Sequence, residues 1–91
     1  MDKDYEIRIP SQLIRDRNLS FSAKVLYGEI ARLCGDTGHC HATNAKLGGL
    51  LGVSTRSITR MIKDLNELEY INIFDIEEVY THRLVRVISL V

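Results

Sequence analysis

The stretch Thr43 to Asn72, TNAKLGGLLGVSTRSITRMIKDLNELEYIN, decides the fold. Within it, Val53-Ser54-Thr55-Arg56-Ser57-Ile58 marks a sharp helix start: Ser54 is placed to accept a backbone N–H as N-cap, with Val53 and Ile58 at the two ends of a hydrophobic staple. Gly52 ends the helix before it. From Ser54 onward Ile58, Met61, Ile62, Leu65 and Leu68 fall at helical spacing on one side, and Arg56, Thr59, Arg60 and Lys63 fall together on the other. The spacing predicts two helices joined by a tight turn. The first, capped by Thr43, runs from Asn44 to about Leu51 with Leu47, Leu50 and Leu51 inward; the second runs from Thr55 to about Leu68, one face packed and the other offered to solvent. Gly48 and Gly49 cost helix stability, and close approach of the following helix is the reason expected for them.

Downstream, Tyr70 to Ile76 and Arg83 to Val91 have strand character and are joined by Glu77-Glu78-Val79-Tyr80-Thr81-His82, which predicts a β-hairpin. The second strand is nearly all apolar (Leu84, Val85, Val87, Ile88, Leu90, Val91), more than one buried face requires. Either both faces are covered, or the surplus meets another protein or a further part of the chain. The last is the expectation taken, so that residues 1–91 form a single domain at the N-terminal end of a longer protein.

Upstream, Ala23, Leu26, Tyr27, Ile30 and Cys34 form a continuous stripe with Lys24, Glu29 and Arg32 away from it, predicting an amphipathic helix from Phe21 to Cys34 with Ser20 or Ser22 as cap. Gly35-Asp36-Thr37-Gly38 is a turn sequence, after which His39-Cys40-His41-Ala42 is a short extended piece able to pair with the later strands. Pro10 suits the first turn of a short helix from Ser11 to Asp16, whose Leu13 and Ile14 are expected to reach the core. Before it Tyr5, Ile7 and Ile9 are two apart, as in an edge strand or extended arm.

A length of 91 residues, 45% hydrophobic, allows one small domain with one core. No apolar run is long enough to span a bilayer and no signal peptide is recognisable, so no membrane partner and a cytoplasmic location are expected. Two cysteines, Cys34 and Cys40, are too few for a disulfide scaffold and fit a reducing compartment. With His39 and His41 they raise the question of zinc. Cys34 lies on a packed stripe, and neighbouring residues of a strand point to opposite faces, so neither a metal nor another cofactor is expected. The chain has no nucleophile elbow and no phosphate loop, so no enzyme is expected either.

Twelve basic and twelve acidic residues balance to zero, so composition alone does not point to a polyanionic partner. Their distribution says more. From Asn44 to Lys63 every charged residue is positive (Lys46, Arg56, Arg60, Lys63); from Asp64 to Glu78 every one is negative (Asp64, Glu67, Glu69, Asp75, Glu77, Glu78). The chain is a dipole in sequence.

Gly48, Gly52, Val53, Ser54, Ile58 and Met61 resemble the helix-turn-helix pattern, and the hairpin after them makes the unit similar to a winged helix-turn-helix. The wider chain, through YEIRIP from Tyr5, LSFSAKVLYGEI from Leu19 and GHCHATN from Gly38, resembles the N-terminal domains of phage and plasmid replication initiators of Gram-positive bacteria, the replisome-organiser and DnaD-like proteins. The resemblance implies an α+β winged helix-turn-helix of three to four helices with a small antiparallel hairpin wing. It implies origin binding of double-stranded DNA, with the helix at 55–68 in the major groove. Base contact is expected from Arg56 and Arg60, helped by Thr55, Ser57 and Thr59, since arginine pairs two-pronged with guanine. Phosphate contact is expected from Thr43, Asn44, Lys46, Ser54, Lys63 and Arg83. The departures are Glu69 where relatives carry glycine after the recognition helix, and an acidic rather than basic wing. Some DnaD-like relatives self-associate through this domain, so the alternatives are a homo-oligomerising or replisome-protein interaction module, and a transcription regulator.

Overall fold

The computed structural model describes residues 6–91. Three hydroxyl side chains start the three main helices in the same way. Ser20, Thr43 and Ser54 sit in extended backbone, and each oxygen accepts the N–H three residues on, from Ala23 at 3.1 Å, Lys46 at 3.1 Å and Ser57 at 3.2 Å. The elements are α1 (Ser11–Ile14), α2 (Phe21–Cys34), a 3₁₀ turn (Gly35–Thr37), β1 (His39–Cys40), α3 (Asn44–Leu51), α4 (Thr55–Glu67), β2 (Ile71–Glu77) and β3 (Leu84–Leu90). This is the winged helix-turn-helix α+β fold expected, four helices and a three-stranded antiparallel sheet. None of these helices is long and apolar enough to cross a membrane.

The turn between α3 and α4 depends on two glycines for different reasons. Gly52 takes φ 69°, a left-handed conformation that costs glycine little. Gly48 lies against the turn itself: a Cβ there would stand 2.7 Å from the Val53 carbonyl oxygen, whose own N–H donates to the Gly48 carbonyl at 3.0 Å. Close approach therefore explains Gly48. It does not explain Gly49, where an added Cβ meets nothing within 4 Å.

Leu26 and Ile30 of α2, Leu47 of α3, Ile58 and Leu65 of α4, and Ile71 and Ile88 of the sheet are fully buried together, with Leu13 closing the core from α1. Residues 6–9 run as an extended arm rather than a strand, with Ile7 and Ile9 over Gly28 of α2. Tyr5 lies outside the described residues. Farther along, Tyr70 donates its hydroxyl to Asp16 at 2.7 Å, pinning the α1–α2 loop to the start of β2. That bond holds the Asp16 carboxyl below its ordinary range and pushes the Tyr70 phenol up.

β3 is the central strand, in the order β1-β3-β2, which accounts for part of its apolar surplus, Leu84 and Val91 remaining exposed. Both neighbouring strands and the core shield it: Ile88 packs into the core, while Val87, directly opposite Phe74 on the outer face, is only 2% exposed.

Several side chains depart from expectation. Glu29, placed on the polar side of α2 by periodicity, is buried, its carboxylate accepting from Arg32 Nε at 2.9 Å; a charge is tolerated there because it is paired. Ile14 is partly exposed because α1 is a single turn and buries one face only, through Leu13. Leu50 and Leu68 are also exposed, the first on the outer side of the short α3, the second as the C-cap of α4. Glu69 then takes the left-handed conformation itself, at φ 65°. Its N–H donates to Asn66 O at 3.1 Å and that of Tyr70 to Leu65 O at 2.9 Å, so the helix closes in a Schellman motif without glycine.

Candidate nucleic-acid interface

At about 100° per residue, the buried row of α4 (Ile58, Met61, Ile62, Leu65) leaves Arg56, Arg60, Lys63 and Glu67 on the line most nearly opposite. Arg56, Arg60 and Lys63 are all exposed. Lys63 approaches Glu67 at 3.9 Å, a solvent-exposed pair of little energetic weight. The first two and a half turns of α4, Thr55 to Lys63, therefore present two guanidiniums and an ammonium with no acid among them. The acids begin at Asp64, on the flank where Ser20, Ser22, Ser57 and Arg60 border a shallow groove between α4 and the start of α2.

The other polar residues expected here divide by what their groups already do. Ser54 caps α4 and its hydroxyl donates to that of Ser57 at 3.1 Å. Thr43 caps α3. The Thr59 hydroxyl donates to Thr55 O at 3.0 Å and accepts from Asn44 Nδ2 at 3.1 Å, so its one proton is spent inside the protein. Thr55 and Lys46 are exposed, Lys46 on the first turn of α3. Thr43, Asn44, Lys46, Thr55, Arg56, Thr59, Arg60 and Lys63 thus gather around the α3 N-terminus and the exposed face of α4. Arg83 does not join them. It stands in the hairpin loop beside Glu77 and Glu78, three residues before Arg86 along the chain, about 10 Å from it at strand rise.

Arg86 is the residue that sequence reasoning passed over as a candidate. Opposite Asp75 in the sheet, it turns toward α3 and donates from Nη1 to Asn44 Oδ1 and from Nη2 to the Ala42 carbonyl, each at 2.6 Å. Partial burial pulls its pKa below the ordinary arginine value. One signal was available: a lone charge inside the apolar run Leu84-Val85-Arg86-Val87-Ile88, on the core-facing register shared with Ile88.

Cys34 and Cys40 are buried free thiols, and Cys34 Sγ lies 3.8 Å from Ile88 O. Among the described residues no group of three His, Cys, Asp or Glu side chains is arranged to hold a metal ion.

A family model described as "Helix-turn-helix domain" matches residues 17–71. Among solved structures, the chain is similar to "N-Terminal domain of DNA binding protein" (TM-score 0.68, 16% identity, covering 98% of this chain and 76% of that one). It is similar to "Structure of MDR initiator" (0.66, 18%, 98% and 78%) and to "Structure of Rep-DNA complex" (0.64, 14%, 98% and 76%). At these identities the likeness is one of fold. No curated protein matches in sequence.

Proposed function

Because this chain belongs to the helix-turn-helix domain family, we propose that it binds double-stranded DNA as the origin-binding domain of a phage or plasmid replication initiator. The observation that carries the reading is the exposed cationic line Arg56, Arg60 and Lys63 on α4, diametrically opposite the buried row. An α-helix fits the major groove, and arginines in its N-terminal half reach base edges there. Arg56 and Arg60 take the base-contacting role; Lys63 and Lys46 neutralise phosphates and set register. The replication role is supported by the printed names of two similar structures, an initiator and a Rep-DNA complex. The domain acts as a binding module and not as a catalyst.

The test is a fluorescence titration of the domain against duplex from its own genomic neighbourhood at two salt concentrations, with an R56A/R60A variant alongside. Binding should weaken steeply with salt, because each neutralised phosphate releases counterions. The variant should lose about 1–3 kcal/mol for each base pair no longer read. A folded wild-type domain that binds no duplex at low salt removes this reading. Duplex from an origin region favours the replication role, and duplex from a promoter favours a transcription regulator.

A second reading is favoured by the outer face of the sheet. Phe74, Ile76, Val85 and Val87 share it with Asn72, Ser89 and His39, and none of these carries a fixed charge. Phe74 and Ile76 are each 42% exposed. Such a face suits self-association or a replisome protein, and it lies off the α4 surface, so both activities are compatible in one domain.

A further inference from the structure

Resting on the DNA-binding reading, we infer that Arg86 is a positioning residue of the DNA-reading surface: it acts through Asn44 on Thr59, and contacts no phosphate itself. Three elements meet in one chain of hydrogen bonds. Arg86 on β3 donates to Asn44 Oδ1 and to Ala42 O, both at 2.6 Å; Asn44, first residue of α3, donates from Nδ2 to Thr59 Oγ1 at 3.1 Å; Thr59 donates to Thr55 O at 3.0 Å.

The polarity of this chain is fixed by chemistry. A guanidinium only donates, so the Asn44 carbonyl oxygen must face Arg86 and its amide must face α4. Without Arg86 the amide is free to flip, and then Asn44 offers Thr59 an acceptor where the hydroxyl has no proton left to give. The Ala42 carbonyl, on the approach to α3, loses its partner at the same time. Arg86 therefore sets both the approach to α3 and the face that α4 shows beside it. Two guanidinium nitrogens are already directed into the protein, and the group is half-buried, which sets it apart from the exposed Arg56, Arg60 and Lys63. Its fork geometry is what lysine lacks.

The experiment uses the 91-residue chain and a fluorescein-labelled duplex that the wild-type domain selects from a randomised pool. Affinity is measured across a salt series for wild type, R86K, R86M, N44A and N44A/R86M, well below each variant's Tm so that all are folded. Positioning predicts that R86K and R86M both weaken binding by about 2- to 30-fold. The slope of log K against log salt should stay at the wild-type value, and R86M should cost less once Asn44 is gone, the remainder being the lost bond to Ala42 O. A phosphate contact predicts instead that R86K binds as wild type while R86M shallows the slope by about 0.9, and that result overturns the inference. So does an equal cost of R86M with and without Asn44, or wild-type affinity in both Arg86 variants. A wild-type domain that selects no duplex overturns the DNA-binding reading, and this inference with it.

Discussion

Two residues show how single side chains set the stability of this domain. Glu69 holds φ 65° in the Schellman turn that ends α4. A non-glycine residue in that conformation costs about 1–2 kcal/mol, and glycine removes the strain while keeping both hydrogen bonds. Glu69→Gly should stabilise the domain by about 1 kcal/mol and raise its Tm by about 4–8 °C in a calorimetric scan. The same change takes one acid from the stretch following the recognition helix. Cys34 works through pH. Burial first, and the neighbouring Cys40 second, push its thiol from 9.0 to about 11. The folded chain therefore holds a proton that the unfolded chain releases between these values. The contribution is complete below pH 9 and is lost as pH rises toward 11, so stability should fall across that window. Denaturant midpoints measured from pH 8 to pH 11 check this: Cys34→Ala should flatten the decline, and a steepening would contradict it. In the same way the thiol should resist alkylation at neutral pH until the domain unfolds.

At the scale of the element, α3 carries two adjacent glycines that the structure separates by function. A methyl at Gly48 would stand 2.7 Å from the Val53 carbonyl, a contact that only a shift of the turn relieves. Gly48→Ala should cost about 1–3 kcal/mol in urea unfolding, as overpacking does. Gly49 faces open space in the middle of the same helix. Gly49→Ala should add about 0.5–1 kcal/mol, because alanine loses less backbone entropy on entering a helix. Opposite signs from neighbouring identical substitutions would tie the α3–α4 turn to a backbone contact; equal signs would show that helix propensity alone governs both. The wing is the element that departs most from a DNA-contacting one. Asp75, Glu77 and Glu78 line it, His82 Nδ1 meets Glu77 Oε1 at 2.9 Å, and Val79 and Tyr80 are almost fully exposed at its tip.

For the whole molecule, the sheet offers a surface opposite in character to α4. Its outer face is apolar and uncharged around Val87, bordered by His39, with Phe74 and His39 edge-to-face at 6.1 Å. F74S/I76S should lower the Tm without unfolding the domain, since more than half of each side chain is covered and Phe74 lies directly over Val87. It should also leave duplex binding unchanged while abolishing any concentration-dependent rise in mass seen by sedimentation. A variant that loses DNA affinity instead would place the sheet in the DNA interface.

Much of this architecture was legible in residue pattern. The caps Thr43 and Ser54, the bounds of α2 and α3, the buried row of α4 from Ile58 to Leu65 and the hairpin follow from local signals, because capping hydroxyls and 3.6-residue periodicity act within one turn of chain. The same signals narrow the α2 cap to Ser20 or Ser22, and the structure selects Ser20. The exposed cations of α4 follow from the same periodicity. What tertiary structure alone decided are the relations between segments far apart in sequence. The central place of β3, which shields Val87 on the outer face, is one; the left-handed Glu69 held by the turn around it is another. The burial of Glu29 against the pattern of its own helix is a third. Above all, Arg86 meets Asn44, and through it Thr59, only because the sheet docks beside the α3 N-terminus. Side-chain spacing fixes which face of an element is apolar, but which polar groups meet across elements depends on how the shared core orients them, and no local pattern carries that information.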